Sequence, residues 1–512
     1  VRCLTGLGLA ELAMAQEDVA ASCFESAVDL FEAQRRALPG DDFRHAFLVD
    51  HLRPYHELLR MALAAQQRSP SPALAAKVLE RLDHFRARAL AERLASGAQY
   101  AGSAGSAATR ALRDRLNWLY RQEQKLGDDG ESSTSVTQEA RATELELLEI
   151  ERRSRLAAPQ VPGSPTAGGS LDAGLDLAGL HQVLGEGDAL VEYGVLDDEL
   201  FACIVTSAGV TVHRHMAAWS DVLAALRAAR FQLETLSRGV EPVRAHLPTL
   251  TRRTQLRMAQ VHALLWAPLE DVLVNVQRVV VVPHGQLAEL PFAALHDGRR
   301  YLAQRLELAG APSARLALHH LSLKPALPRT VLAMGDSTRL AHAAAEARLV
   351  AGLFDQGQVC IGAQATTTAL RAHCGSADIV HLACHARFRE DNPRFSALQL
   401  HDGALTADLA EALPMRAGLV VLSACETGLA GAGHGDEMVG LVRAFLVAGS
   451  ARVVASLWPV DDRITADFMS SFYSALRDGD SCSTALARAQ FAMLQIHPHP
   501  YFWAGFTLHG GW

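Results

Sequence analysis

The apolar residues of the first hundred positions recur every three or four residues, which is the spacing that gives a helix one buried face. One such stripe runs through Phe24 and Phe31. Pro-Gly-Asp-Asp at 39–42 and Ser-Pro-Ser-Pro at 69–72 interrupt the pattern, and such residues end one helix and start the next. We therefore predict that residues 1–97 form a region of packed helices.

Two further helices and a linker are predicted after this region. Residues 109–126 and 137–156 carry charges at heptad-like spacing, which predicts an exposed antiparallel pair. Residues 159–170 combine proline, glycine and serine in the manner of a linker. We assign residues 98–170 to the helical pair and linker, and we place the main domain boundary within the linker.

Beyond the linker, short apolar and β-branched runs alternate with helical segments. Runs of this kind, bounded by turn residues, are typical of strands buried on both faces of a sheet. The alternation predicts an α/β fold, a mostly parallel sheet with helices on both faces, in two lobes at 171–325 and 326–512. The predicted strands cover residues 189–193, 200–205 (a hairpin through Asp197-Asp198), 278–282, 330–336, 377–385, 418–425 and 452–457.

The composition excludes several classes of function. The net charge of −8 gives no basic footprint for nucleic acid. No apolar stretch is long enough to cross a membrane and no secretory signal opens the chain, so we expect no membrane contact. The eight cysteines are scattered without a CxxC pair, which argues against a disulfide framework or a structural zinc site and favours the reduced cytoplasm. Because Val1 lies inside a predicted helix, we expect the natural chain to begin upstream.

Two of the apolar runs end near residues that can do chemistry. The run that begins at Ala377 ends at His385, and the run that begins at Gly418 ends at Cys425. In open parallel sheets the reactive groups lie at the carboxyl ends of the strands, so neighbouring strands would bring these two side chains together. Their separation of 40 residues suits one crossover between parallel strands. A thiol beside an imidazole at this place predicts a cysteine nucleophile with its base.

Residues 379–386 and 421–428 resemble segments of the CHAT family, a branch of the caspase-like (clan CD) cysteine peptidases that often follows tetratricopeptide repeats. The likeness covers roughly the last half of the chain, about residues 235–512. Further motifs occur in the order of that family, at residues 282–295, 435–437, 443–449, 456–462 and 500–506. The resemblance implies a caspase-like fold in which the first lobe is a pseudo-protease lobe and the second is the protease lobe.

The helical region carries a weaker resemblance. Ala20, Phe24 and Ala27, with Gly6 and Gly8 one helix earlier, resemble the second half of a tetratricopeptide repeat. Small and large residues alternate in this way on any tightly packed helix pair, so a generic array of helical hairpins is the alternative. We find no second copy at a fixed period.

The CHAT resemblance implies that His385 and Cys425 form the catalytic dyad. The backbone N–H groups of Cys425 and of the loop near Ala386 would hold the oxyanion, although caspase-like enzymes usually have glycine at the position of Ala386. His381 competes with His385 as the base, and even spacing would place both on one side of the strand. A satisfied core histidine is the alternative for His381. A buried core thiol is the alternative for Cys425.

Three acidic residues are candidates for substrate specificity. In the related separase and clostripain-like peptidases an acidic residue near the site selects a basic P1 side chain. By that resemblance Asp461 or Asp462, which follow the strand 452–457, would do so here, and Asp436 is a further candidate. The alternative is that these residues cap the helices that follow them.

The function expected from these features is that of a latent cysteine endopeptidase, without metal or organic cofactor. Its helices would recruit a protein substrate and a protein regulator. The alternative from another class is a non-catalytic scaffold that presents the helices to partners. A serine acyl hydrolase based on Ser423 is a weak third possibility, because Ser423 lies within the strand and the G-x-S-x-G elbow is absent.

Overall fold

A computed structural model describes most of the 512-residue chain. The predicted helix break at 39–42 and the predicted linker at 159–170 lie outside the described residues. The described ranges are 1–36, 52–95, 107–128, 134–157, 174–237, 239–323, 327–336, 342–389, 392–423, 440–458 and 462–512.

The first part of the chain is helical, as the three- and four-residue spacing predicts. Ser71 ends the interruption at 69–72 by accepting a hydrogen bond from the Leu74 N–H at 3.2 Å, which caps the next helix. Gly8 packs directly against the buried ring of Phe24, because a Cβ added there would lie 2.6 Å from that ring. The helices are α1 (Arg2–Ala13), α2 (Glu17–Arg36), α3 (Arg53–Arg68), α4 (Pro72–Asp83), α5 (Arg88–Ala95), α6 (Ala107–Asp128), α7 (Thr134–Ala157) and α8 (Leu177–Val183).

The remainder of the chain forms one large sheet and one small sheet. The large sheet has the order β3-β2-β1-β4-β5-β14-β13-β12-β8-β6-β7, and the small sheet has the order β11-β10-β9. The strands are β1 (Asp188–Leu196), β2 (Glu199–Thr206), β3 (Gly209–Ala218), β4 (Arg278–Val282), β5 (Glu307–Gly310), β6 (Thr330–Gly335), β7 (Gln356–Ile361), β8 (Ile379–Ala383), β9 (His385–Arg387), β10 (Ala397–Leu400), β11 (Gly403–Thr406), β12 (Leu419–Leu422), β13 (Arg452–Ser456) and β14 (Phe506–Gly510).

Helices cover both faces of the large sheet. The first face packs on α9, α10, α12, α16 and α17, and over β8 and β12 the second face packs on α13, α14 and α15. The fold class expected from the sequence is thus confirmed, and both lobes share the one sheet through the β5–β14 pair. The helices of this part are α9 (Trp219–Glu234), α10 (Leu247–Leu265), α11 (Ala314–Ser322), α12 (Ala343–Gly352), α13 (Thr367–His373), α14 (Ala407–Glu411), α15 (Leu441–Val447), α16 (Asp462–Arg477) and α17 (Cys482–Ile496).

The N-terminal helices cover the second face of the first lobe. Apolar residues of α2, α3 and α4 form one core cluster with residues of β1, β2 and β4. Two buried ion pairs join the same surfaces. Asp83 contacts the Arg315 guanidinium at 2.9 Å, and Arg86 Nη1 lies 3.2 Å from Glu192 Oε1, with both of the latter side chains fully buried. Helices α1–α4 therefore pack as a layer of the α/β fold.

The helical pair formed by α6 and α7 also packs on this fold. The sequence predicts an exposed pair, and this expectation is wrong for one side of it. Leu116, Leu119 and Tyr120 of α6 form an apolar cluster with Ala397 of β10 and Ala404 of β11. The charged heptad pattern shows which positions are polar, but it does not show that the apolar stripe meets a sheet.

No helix among the described residues has both the length and the apolar character that crossing a lipid bilayer requires.

Candidate active site

The two strands that lead to His385 and Cys425 are neighbours in the large sheet. β8 and β12 pair in parallel, with Leu422 opposite Leu382, and the Ser423 N–H donates to the Leu382 carbonyl at 3.0 Å. The carboxyl ends of the two strands therefore lie level at the same edge of the sheet. β6 ends beside them, because the Asp336 N–H donates to the Ala383 carbonyl at 3.1 Å. The predicted adjacency of these strands is confirmed.

His385 lies on a different element from the one expected. The sequence predicts a strand through His385, but β8 ends at Ala383 and the chain bends at the buried Cys384. His385 then begins β9, the edge strand of the small sheet, where it lies opposite Gln399 of β10. The even-spacing argument that places His381 and His385 on one strand face fails because the bend separates them. The side chain of His385 is partly exposed.

Ala386 follows His385 within β9, opposite Leu398, so it belongs to a strand rather than to a loop. In an antiparallel edge strand, alternate N–H groups point away from the neighbouring strand. The main chain around Ala386 is therefore held by the ladder with β10. This corrects the expectation that a loop follows the histidine.

His381 is a core histidine, as its alternative interpretation predicted. The ring is fully buried, with Nδ1 2.9 Å from the Tyr473 hydroxyl of α16 and Nε2 3.1 Å from Glu346 Oε1 of α12. Burial raises the pKa of Tyr473 well above its usual value, so the phenol stays protonated and can donate to Nδ1. The Glu346 carboxylate is also buried, so the ring lies between a phenol and a carboxylate within the core. These contacts connect β8 to two helices on the first face of the sheet.

Several predicted site residues lie outside the described residues. These are Cys425, Asp436 and Asp461. Asp462 is the first residue of α16, which is the N1 position rather than the N-cap. Ser423, the candidate of the serine hydrolase alternative, is the last described residue after β12 and its side chain is buried.

Trp458 of the motif at 456–462 packs against residues of the motif at 500–506, just after the end of β13. Trp458 Nε1 donates to the Tyr501 carbonyl at 2.9 Å, and the two rings stack with centroids 6.3 Å apart. Gly505 allows this contact, because a Cβ there would lie 3.0 Å from the Trp458 ring. Trp503 is fully buried in the main core. These motif residues therefore pack together between the end of β13 and the start of β14.

Sequence reasoning missed the residues that hold the chain after β9. Arg389 forms two bonds with Glu144 of α7, at 2.7 and 3.0 Å, and Arg387 lies over the Tyr120 ring at 5.0 Å from its centroid. No sequence signal links these residues, because Arg389 and Glu144 are 245 positions apart.

In the described part of the chain, no group of three or more His, Cys, Asp or Glu side chains is arranged to hold a metal ion.

The similarities to curated proteins extend over part of the chain. Tetratricopeptide repeat protein 28 of Mus musculus is 26% identical over 358 residues, which covers 56% of this chain and 14% of that protein. The Homo sapiens protein of the same name is 26% identical over 357 residues, with the same coverage. This chain thus corresponds to a small part of the length of these relatives.

Solved structures are similar at low identity. The Saccharomyces cerevisiae separase–securin complex has a TM-score of 0.49 at 10% identity and covers 100% of this chain and 47% of that one. The arginine-specific cysteine proteinase gingipain R (RgpB of Porphyromonas gingivalis) has a TM-score of 0.32 at 10% identity, with coverage of 51% and 67%. Both scores are below 0.5, so the family assignment rests on the sequence match. The CHAT domain family model matches residues 255–511, which is half of the chain, and the chain therefore belongs to the CHAT domain family.

Proposed function

We propose that this protein is a cysteine endopeptidase that cleaves a specific protein partner, with Cys425 as nucleophile and His385 as general acid and base. The observation that carries the proposal is the parallel pairing of β8 and β12, whose carboxyl ends are level. His385 lies two residues beyond the end of β8, and Cys425 lies three residues beyond the end of β12. We infer from these short separations that the two side chains meet at this end of the sheet.

The proposed reaction needs only these two side chains and backbone N–H groups. His385 takes the proton of the Cys425 thiol, and the thiolate attacks the substrate carbonyl carbon to give a tetrahedral oxyanion. The N–H groups of Cys425 and Ala386 donate to that oxyanion. The intermediate collapses to a thioester as the imidazolium gives its proton to the leaving amine. Water, deprotonated by His385, then releases the carboxylate and the free thiol.

A labelled acyloxymethyl ketone peptide tests the proposal, because it forms a thioether only with an activated active-site thiolate. We expect labelling of the purified protein, none in Cys425→Ala, and a rate reduced at least about 100-fold in His385→Ala, the range of general acid–base catalysis. The matched controls are His373→Ala, a partly exposed histidine on α13, and Cys3→Ala, an exposed cysteine. Labelling that survives Cys425→Ala, or that is equal in the two histidine variants, would refute the dyad.

The acidic candidates suggest a substrate class. We propose that Asp461 or Asp462 favours a basic P1 residue, with Asp436 as the second choice, because a carboxylate near the P1 pocket attracts a cationic side chain. Ketones with P1 Arg and P1 Asp, matched in all other positions, measure this preference. Asp461→Asn or Asp462→Asn should abolish a preference for Arg, whereas Asp478→Asn at the exposed end of α16 should leave it unchanged.

The second candidate function is a non-catalytic scaffold. The packing of α6 and α7 on the small sheet favours it, because helices held on the α/β fold can present one surface to a partner whether or not the dyad is active. Absence of labelling in the presence of every partner that binds the helices would support the scaffold. Co-purification with Cys425→Ala, followed by cleavage of the captured protein by the wild-type chain, would support the peptidase and identify the substrate or regulator.

A further inference from the structure

The helical hairpin formed by α6 and α7 packs against the small sheet, whose strand β9 begins with His385. The small sheet lies between two cores. Leu398 and Leu405 pack into the core cluster on the second face of the large sheet, while Ala397 and Ala404 pack against the hairpin. The small sheet therefore forms the connection between the hairpin and the large sheet.

The polar contacts at the end of β9 are buried. Arg389 and Glu144 have side chains only 8% and 4% exposed, and the guanidinium meets the carboxylate through two bonds. The Tyr120 hydroxyl of α6 donates to the same carboxylate at 2.6 Å. Glu144 thus receives donors from both the hairpin and the β9 segment. Removing one partner would leave a buried charge or unmatched donors.

A third contact fixes the other edge of the small sheet. The Ala404 N–H donates to Asn117 Oδ1 at 3.2 Å. The preceding residue, Gly403, has a φ of +154° and approaches Asn117 so closely that a Cβ would lie 3.1 Å from its side chain. Both edges of the small sheet therefore contact α6 or α7.

β9 has little support of its own. It contains three residues and lies at the edge of the small sheet, and the four-residue β10 is its one neighbour among the described strands. Short strands of this kind need packing against other elements to be stable. Arg389 lies four residues after His385 and two after the end of β9. A change in the position of α7 is thus transmitted to the histidine through a very short stretch of main chain.

We propose that Glu144 and Arg389 are positioning residues for His385, so that the α6–α7 hairpin controls whether the dyad is assembled. This inference rests on the proposed function, since it assigns the regulation of the same site. A protein that binds the hairpin and shifts α7 would change the reactivity of Cys425 without touching either catalytic side chain. The docked hairpin seen here is the state that supports the reaction.

Glu144→Gln tests this inference against a control on the same helix. Glu139→Gln removes the carboxylate of the exposed pair with Arg115, whose side chains are 56% and 44% exposed. We expect Glu144→Gln to lower the rate of ketone labelling at Cys425 at least tenfold, and Glu139→Gln to change it less than twofold. Arg389→Lys keeps the charge but loses the two-bond geometry, so its rate should lie between these values.

Two further readouts separate positioning from a general loss of stability. The alkylation rate of Cys425 as a function of pH should show its midpoint displaced upward in Glu144→Gln, because a displaced imidazole no longer lowers the pKa of the thiol. Hydrogen exchange should accelerate at residues 385–389 in Glu144→Gln and stay unchanged in Glu139→Gln. Equal rates and equal midpoints in the two variants would overturn the inference, as would faster labelling in Glu144→Gln.

The failure of the proposed function has a different signature. In that case no variant, including the wild-type chain, is labelled at Cys425. The exchange measurement then decides the coupling alone. Acceleration at residues 385–389 in Glu144→Gln only would uphold control of β9 by the hairpin, and unchanged exchange would overturn it.

Discussion

The buried contacts of His381 provide a sharp test of how β8 supports the candidate site. Tyr473→Phe removes the hydroxyl that lies 2.9 Å from His381 Nδ1, and both side chains are fully buried. Water cannot replace the lost donor in a close-packed core, so Nδ1 remains buried without its hydrogen bond. A buried polar group left in this way costs about 1–3 kcal/mol. We expect the free energy of unfolding of the protein to fall by that amount.

Tyr193→Phe is the matched control. Its hydroxyl donates to the Leu265 carbonyl at 3.1 Å, and its side chain is also fully buried, but it lies in the first lobe. Burial raises the pKa of both phenols, so both are neutral donors and both variants lose an equivalent group. We expect a similar loss of stability in the control.

The two variants should differ in their effect on reactivity. His381 lies four residues before His385 on the same main chain, and its contacts with α12 and α16 fix the position of β8. Tyr473→Phe should therefore slow ketone labelling of Cys425 several-fold, whereas Tyr193→Phe should change it less than twofold. Urea denaturation followed by tryptophan fluorescence measures the stability. Equal labelling rates in the two variants, at equal loss of stability, would refute a role of this network in positioning the site.

Three further predictions concern stability. Gly6→Ala should stabilise α1 by up to about 1 kcal/mol, because its Cβ meets open space. Gly8→Ala should leave the protein about 1–3 kcal/mol less stable than Gly6→Ala, because its Cβ overpacks against Phe24. Thermal unfolding measures both effects. Asp83→Ala breaks a buried ion pair and should cost about 3–5 kcal/mol in urea denaturation, while the exposed Glu17→Ala should have no measurable effect. Burial lowers the pKa of His499 to about 4, so the contribution of this residue to stability should be full above about pH 6.5 and fall by about 3 kcal/mol as the pH approaches 4. His499→Gln should reduce the slope of the stability–pH curve in that range, while the buried His509, whose pKa is also lowered to about 4, maintains the remainder.

The large sheet could be predicted from the sequence because each strand carries its own signal. Runs such as Val279–Val282 and Leu419–Leu422 are apolar on both faces, and such runs fit the interior of a parallel sheet. Asp197 and Asp198 both adopt positive φ, as the tight hairpin predicted at that point requires. Local patterns of this kind need no knowledge of distant residues.

The environment of His385 could not be predicted, because it depends on distant residues. β9 is three residues long, which is too short for a periodicity to be recognised. The bend at Cys384 follows no glycine or proline, and the segment then pairs with β10 twelve residues later. The charged pattern of α6 and α7 predicts their solvent-facing positions correctly, yet it carries no information on the sheet that meets their apolar stripe.

The N-terminal part of the chain contacts the large sheet near the carboxyl ends of strands that point in opposite directions. β1, β4, β5 and β14 run parallel to one another, and β13 reverses the direction, so the carboxyl ends of β4 and β8 lie at opposite edges. At the β4 edge, Arg86 Nη2 lies 3.2 Å from His284 Nδ1. At the other edge, α7 holds the segment after β9 through Glu144.

Helix α5 lies between Arg86 and Glu144 in the sequence and makes a third contact with the α/β fold. Arg93 of α5 lies 3.1 Å from Glu411 of α14, and the same carboxylate accepts from Arg443 of α15 at 2.9 Å. α15 is the first described helix after Cys425, and α14 lies between β11 and β12. The N-terminal chain therefore touches the elements on both sides of the candidate dyad. Unequal displacements of α5 and α7 would therefore move the segment after β9, which contacts Glu144, relative to α14, which carries Glu411.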